Sequence, residues 1–167
     1  MAPGVVVEAS HPLRPEARDL LEALSRQLES LTGSDGRAGF ADWRDEPGHV
    51  FLIARIDGRA VGCGALRPLE PGVGEVKRMF ASRSGVGVGA AVLAGLEAAG
   101  RAQGLSALRV RTRQVNERAV RFYQRQGFQV SGVDGLSVWL QKQLGSPRSD
   151  GRGASGIPTQ STAPRRR

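Results

Sequence analysis

Gly85, Gly87 and Gly89 stand at alternate positions in the run Gly85-Val86-Gly87-Val88-Gly89. Glycine buries no side chain and costs backbone entropy, so this spacing serves the backbone rather than a core. It permits positive φ and lets successive N–H groups approach a ligand closely. The run leads directly into an alanine-rich segment through Val92, Leu93 and Leu96, which reads as a helix. At a helix N-terminus the first N–H groups lack intrahelical partners and lie at the positive end of the macrodipole. Together these features describe an anion site, most naturally for phosphate or pyrophosphate. The alternative is a flexible glycine-rich connection.

The elements around the run must hold it in place. Glu75 to Ala81 reads as a strand, followed by a tight turn at Ser82-Arg83-Ser84. Upstream, Val5 to Ala9 reads as a first strand. A helix begins near Pro15, where proline is tolerated because the first-turn N–H is unpaired anyway. Leu20, Leu21, Leu24, Leu28 and Leu31 give that helix one apolar stripe, and Gly33 closes it. A polar connection from Gly33 to Gly48 carries Phe40 and Trp43 and is locally acidic at Asp42, Asp45 and Glu46. It reads either as a solvated loop or as a binding rim.

Val50 to Ile56 and Arg59 to Arg67 form two strands around an Asp57-Gly58 hairpin signal, and Pro68 to Gly74 makes the next reversal. Gly104 ends the alanine-rich helix. Ala107 to Thr112 is a strand with Leu108 and Val110 on one face and Arg109 and Arg111 on the other. Asn116 is an N-cap for a helix through Ala119, Phe122 and Tyr123, closed by Gly127. Phe128 to Val133 and Leu136 to Gln143 complete the set around Asp134-Gly135. This order specifies a mixed α/β sheet, antiparallel in its first half, with a parallel crossover at the glycine-run helix.

Composition narrows the class. The 167 residues are 40% hydrophobic, enough for a core, and no apolar run approaches the ~20 residues of a membrane span. One cysteine, Cys63, excludes an intrachain disulfide framework and a cysteine-rich zinc site. His11 and His49 are too few and too separated to suggest a metal. The N-terminus has no basic-then-apolar leader, which leads us to expect a cytoplasmic protein. Five arginines against one aspartate put +4 of the +8 net charge in residues 145–167. That segment is Gly-, Ser-, Pro- and Arg-rich, so residues 1–144 are expected to form the domain and 145–167 a disordered basic tail.

The element order, with the glycine run after the fourth strand, resembles the GNAT superfamily of N-acetyltransferases. So does Asn116 to Phe128, Asn-Glu-Arg-Ala-Val-Arg-Phe-Tyr-Gln-Arg-Gln-Gly-Phe, which is similar to that family's penultimate helix. The resemblance covers about residues 5 to 144. It implies a mixed, mostly antiparallel sheet of about seven strands with helices on both faces and a central parallel crossover. It implies acetyl-CoA as co-substrate and direct acetyl transfer to a primary amine on a small molecule or peptide, in an enzyme that could be a homodimer. Met79, Phe80 and Ala81 would hold the pantetheine arm and acetyl carbonyl. Ser84, Gly85, Val86, Gly87, Val88, Gly89 and Ala90 would bind the pyrophosphate, and Asn116 would contact the cofactor. Tyr123 would protonate the departing thiolate, and Glu75 matches a position where many members carry a general base. The family's usual Gln or Arg at the start of the pyrophosphate pattern is here Ser84, with Arg83 one place early, and the preceding turn is shorter.

The residue chemistry agrees. Presenting a lysine-like amine neutral near pH 7 costs about 4–5 kcal/mol, which a carboxylate base can relieve. On a period-2 strand Glu75, Lys77 and Met79 share a face. Glu75 could equally form a salt bridge with Lys77 or Arg78, and Tyr123 could be a core aromatic. Cys63 reads as a small buried strand residue. Two other readings compete. Gly85-x-Gly87-x-x-Ala90 fits a dinucleotide-binding spacing, with Arg111 or Arg113 meeting the 2′-phosphate of NADP in an oxidoreductase. A basic nucleic-acid-binding module would use the tail and the arginines of residues 109 to 125, although no helix-turn-helix, zinc or aromatic-platform pattern accompanies them.

Overall fold

The computed structural model describes residues 4–37 and 43–145. The expectations placed on Phe40, Asp42 and the tail beyond Gly145 lie outside these residues. Ten elements follow in the expected order: β1 (Val6–Ala9), α1 (Pro15–Thr32), β2 (Val50–Ile56), β3 (Arg59–Glu70), β4 (Val73–Ala81), α2 (Val88–Ala102), β5 (Ala107–Arg113), α3 (Glu117–Arg125), β6 (Gln129–Asp134) and β7 (Ser137–Gln143). One seven-stranded sheet runs in the order β1-β2-β3-β4-β5-β7-β6. Every neighbouring pair is antiparallel except β4 and β5, which the α2 crossover joins in parallel.

Alternation along the strands sorts side chains to two faces. On one face Ala17 and Leu20 of α1 bury Phe51, Ile53, Cys63 and Ala65. On the other, Val88, Val92, Leu93 and Leu96 of α2 pack on Leu52, Leu66, Val76, Leu108 and Val110, joined by Tyr123 of α3 and by Phe128. Each such fully buried aliphatic side chain contributes about 1.5–3 kcal/mol of transfer free energy. The helices close as their sequences require: Gly33 ends α1 at φ 76°, its N–H bonded to the Glu29 carbonyl, and the Asn116 side chain accepts the Ala119 N–H at 3.3 Å.

Two details differ from the sequence reading. β3 runs through Pro68 to Glu70 and the reversal is confined to Pro71-Gly72, because a register irregularity between Pro68 and Glu70 accommodates the missing proline N–H. In β4 the pairing shifts between Lys77↔Ala65 and Phe80↔Cys63, with Arg78 at φ 54°. This bulge inserts one residue and reverses the facing beyond it. Met79 therefore lies on the α2 face, near Val92 and above Gly64, whereas Glu75 and Lys77 remain on the α1 face. The expectation that all three share a face is corrected accordingly.

Candidate active site

The parallel ladder between β4 and β5 is short. It pairs Val73–Val76 with Ala107–Val110 and stops, although β4 continues to Ala81 and β5 to Arg113. Each strand keeps its other neighbour: β3 follows β4 to Ala81, and β7 pairs with all of β5. Beyond Val76 the two strands splay, and among the described residues β5 does not pair with the Met79–Ala81 edge of β4. A cleft of about 1160 Å³ opens there. Its lining includes Glu75, Met79, Phe80, Ala81, Ser84, Gly85, Gly87, Val88, Gly89, Ala90, Asn116 and Tyr123. Of the residues singled out in the sequence only Val86 is missing from that wall; its side chain packs against the core instead.

At the mouth of the splay the three glycines do different things. Gly85 and Gly87 hold φ values of 77° and 79°, which L-residues adopt only with strain, and a β-carbon on either would project into open space. Gly87 is the N-cap of α2 and no side chain caps that helix. Intrahelical bonding starts with the Ala91 N–H, which bonds the Gly87 carbonyl at 3.0 Å. The N–H groups of Val88, Gly89 and Ala90 therefore remain for an external acceptor, beside empty space. Gly89 has ordinary φ, but a β-carbon there would stand 3.2 Å from the Phe122 ring, so this glycine sets the approach of α3 to α2. An anionic diester fits the first two features, and the residues present suit a pyrophosphate-bearing co-substrate.

Tyr123 belongs to both readings of it. Its ring is 5% exposed, edge-on to Phe122 and Phe128 at 5.2 and 5.5 Å, and it also lines the cleft. Burial raises the phenol's pKa well above its ordinary value, so it carries its proton at neutral pH. Asn116 spends its side-chain oxygen on the cap of α3 and contributes to the wall from that position.

Glu75 is 4% exposed and its carboxylate is not alone. Arg67, directly across the β3–β4 ladder, donates its Nε at 2.7 Å, and Lys77 Nζ stands at 3.5 Å. The pairing with Lys77, offered in the sequence as the alternative to a base, is present. The one offered with Arg78 is not, because the bulge sends that guanidinium to the Ser25 hydroxyl of α1, 3.0 Å away. Arg67 was missed in the sequence, where only the length of the β3–β4 hairpin relates it to Glu75. Trp139 of β7, under the Arg111 guanidinium at 5.8 Å, was missed for the same reason. Cys63 donates its thiol to the Arg78 carbonyl, and burial pushes its pKa up to about 12, which leaves it inert as a nucleophile. Among the described residues no helix is long and apolar enough to cross a membrane.

A splayed parallel pair feeding an uncapped, glycine-led helix defines the class, and comparison with known proteins agrees. The model of the Acetyltransferase (GNAT) family matches residues 17–128, and the chain belongs to that family of acetyl-CoA-dependent acetyltransferases. It is 35% identical over 153 residues to an IAA acetyltransferase of Azospirillum brasilense, covering 85% of this chain and 99% of that one. A Klebsiella pneumoniae structure assigned as an acyl-CoA N-acyltransferase is 30% identical with a TM-score of 0.72, over 84% of this chain and 97% of that one. The PaiA N-acetyltransferase of Thermoplasma acidophilum, solved with coenzyme A, shares the fold at 15% identity and a TM-score of 0.66, over 84% and 99% of the two chains.

Proposed function

We propose that this enzyme acetylates a primary amine by direct transfer, with both substrates bound together in the β4/β5 cleft. The observation that carries the reading is the coincidence of the strand splay with the uncapped first turn of α2. The free edge of Met79, Phe80 and Ala81 offers backbone groups to a pantetheine arm as an added strand would. The N–H groups from Gly85 to Ala90, with Ser84 and Val86 at the approach to the turn, take the pyrophosphate, and Asn116 borders the cofactor. Acetyl-CoA supplies the activated acetyl thioester and a thiol leaving group.

The chain's own groups then handle protons. Tyr123, protonated and buried on the cleft wall, donates to the departing sulfur. Glu75, between Arg67 and Lys77, accepts the amine's proton directly or through a water. Transfer of an acetyl group finds support in the name of the Azospirillum relative. An NADP-binding reading finds less support, since a single parallel pair replaces the continuous parallel sheet that such a fold uses. The test is ligand-dependent stabilisation followed by turnover: acetyl-CoA, and not NADPH, raises the melting temperature, and primary amines trigger thiol release. Stabilisation by NADPH alone would overturn the proposal.

A further inference from the structure

Resting on that reading, we infer that the acceptor amine also carries an acidic group, and that Arg111 and Arg113 hold it on the α1 face of the cleft. The cations of this face form a graded series. Glu75 is level with Arg109 in the parallel register, so Arg111 and Arg113 stand about 7 and 13 Å farther along β5, where the strands diverge. The inner cations are committed to the protein: Arg67 and Lys77 to Glu75, and Arg109 to Gln141 at 2.9 Å and Glu70 at 3.1 Å. The outer two are not. Arg111 makes one long ion pair, 3.4 Å, with Asp134, a pair about half exposed on one side and more on the other and worth little in water. Arg113 lines the cleft with a buried Nε that donates to nothing among the described residues.

A buried guanidinium donor without an acceptor is costly, and a carboxylate or phosphonate would satisfy it with paired bonds. The proposed pyrophosphate cradle is the first turn of α2, which packs on the sheet face that carries Leu108 and Val110, whereas Arg111 and Arg113 alternate to the other face of β5. Trp139 underlies Arg111 at 5.8 Å, within reach of a cation–π contact. The same cations assist the chemistry, since like charge nearby lowers the pKa of an incoming ammonium and favours its neutral, nucleophilic form. An acidic anchor offsets the repulsion that would otherwise keep that ammonium out.

The experiment compares matched acceptors by thiol release: α-amino acids, the amines obtained by decarboxylating them, and aminophosphonates of equal length. The wild-type enzyme should prefer an acidic member over its neutral counterpart by on the order of 10² in kcat/KM. Preference for carboxylate over phosphonate, or the reverse, identifies the acid. Arg113→Gln and Arg111→Gln should each shrink that preference about tenfold or more, mainly through KM, while keeping the melting shift given by acetyl-CoA; Arg113→Lys should recover part of it. Equal or better turnover of the neutral amines overturns the inference and leaves the acetyltransferase reading intact. So does an equal loss for both members of a pair in the arginine variants. Thiol release from no amine of either kind overturns both.

Discussion

Gly87→Val separates the cost of a backbone conformation from the loss of a ligand contact. At φ 79° a non-glycine residue pays about 1–2 kcal/mol, and a β-branched one up to about 3. Among the described residues nothing beyond the adjoining chain lies within 4 Å of the added β-carbon, so the β-carbon itself adds no tertiary clash to this strain. For a fold of this size each kcal/mol shifts the melting point by roughly 2–8 °C, so the variant should melt lower by roughly 2–24 °C and still fold. The effect on binding is larger. The valine fills the space beside the Val88, Gly89 and Ala90 N–H groups, and charge-assisted bonds contribute about 1.5–3 kcal/mol each. Losing two weakens coenzyme A by about 10²- to 10⁴-fold. Calorimetry below the lowered melting point should show this for coenzyme A, and no change for pantetheine, which lacks the pyrophosphate. A folded Gly87→Val protein that binds coenzyme A with wild-type affinity would refute the cradle.

The remaining predictions concern the other groups of the site and its boundary. Tyr123→Phe keeps the ring that packs on Phe122 and Phe128, so turnover should fall by about 10²-fold with melting temperature and cofactor affinity retained; full turnover in a stable variant excludes the acid role. Glu75→Gln keeps an acceptor for Arg67 while removing the proposed base, and should lower kcat most at neutral pH with partial recovery at high pH, where the ammonium loses its proton unaided; a pH-independent loss would assign Glu75 to structure alone. The buried Cys63 thiol is raised to about 12, so its contribution to stability is complete below pH 9 and declines as pH rises through that window; Cys63→Ala should flatten the alkaline limb of a melting-temperature profile, and an unchanged limb contradicts this. Leu144 is buried and its N–H bonds the Ser106 carbonyl, so truncation after Gly145 should leave the melting temperature unaltered while truncation before Leu144 lowers it. A large drop on removing residues 146–167 would move the boundary.

Local rules made most of the fold readable. Asn116 and Gly33 mark helix ends because capping involves only neighbouring residues. Asp57-Gly58 gives its hairpin for the same reason, both residues having positive φ. The glycine run announces its helix through backbone freedom alone. What escaped reading depends on pairing across the sheet. The positive φ of Arg78 belongs to a residue type that does not signal it, and it turns Met79 away from Glu75. Arg67 meets Glu75 only once the β3–β4 register is known, and a proline at position 68 argued for a turn where the ladder absorbs it in an irregularity. The outer arginines were visible as an alternating pattern in β5. That their deeper neighbours are saturated depends on β3 and β7.

Initial rates of thiol release, measured while acetyl-CoA and the best amine are varied together and the product is followed by mass, test the central claim most directly. Direct transfer in a shared cleft requires both substrates on the enzyme at once. Intersecting reciprocal plots, with one acetylated amine formed per thiol released, are the expected result. Parallel plots, or acetyl retained on the protein in the absence of amine, would contradict the account.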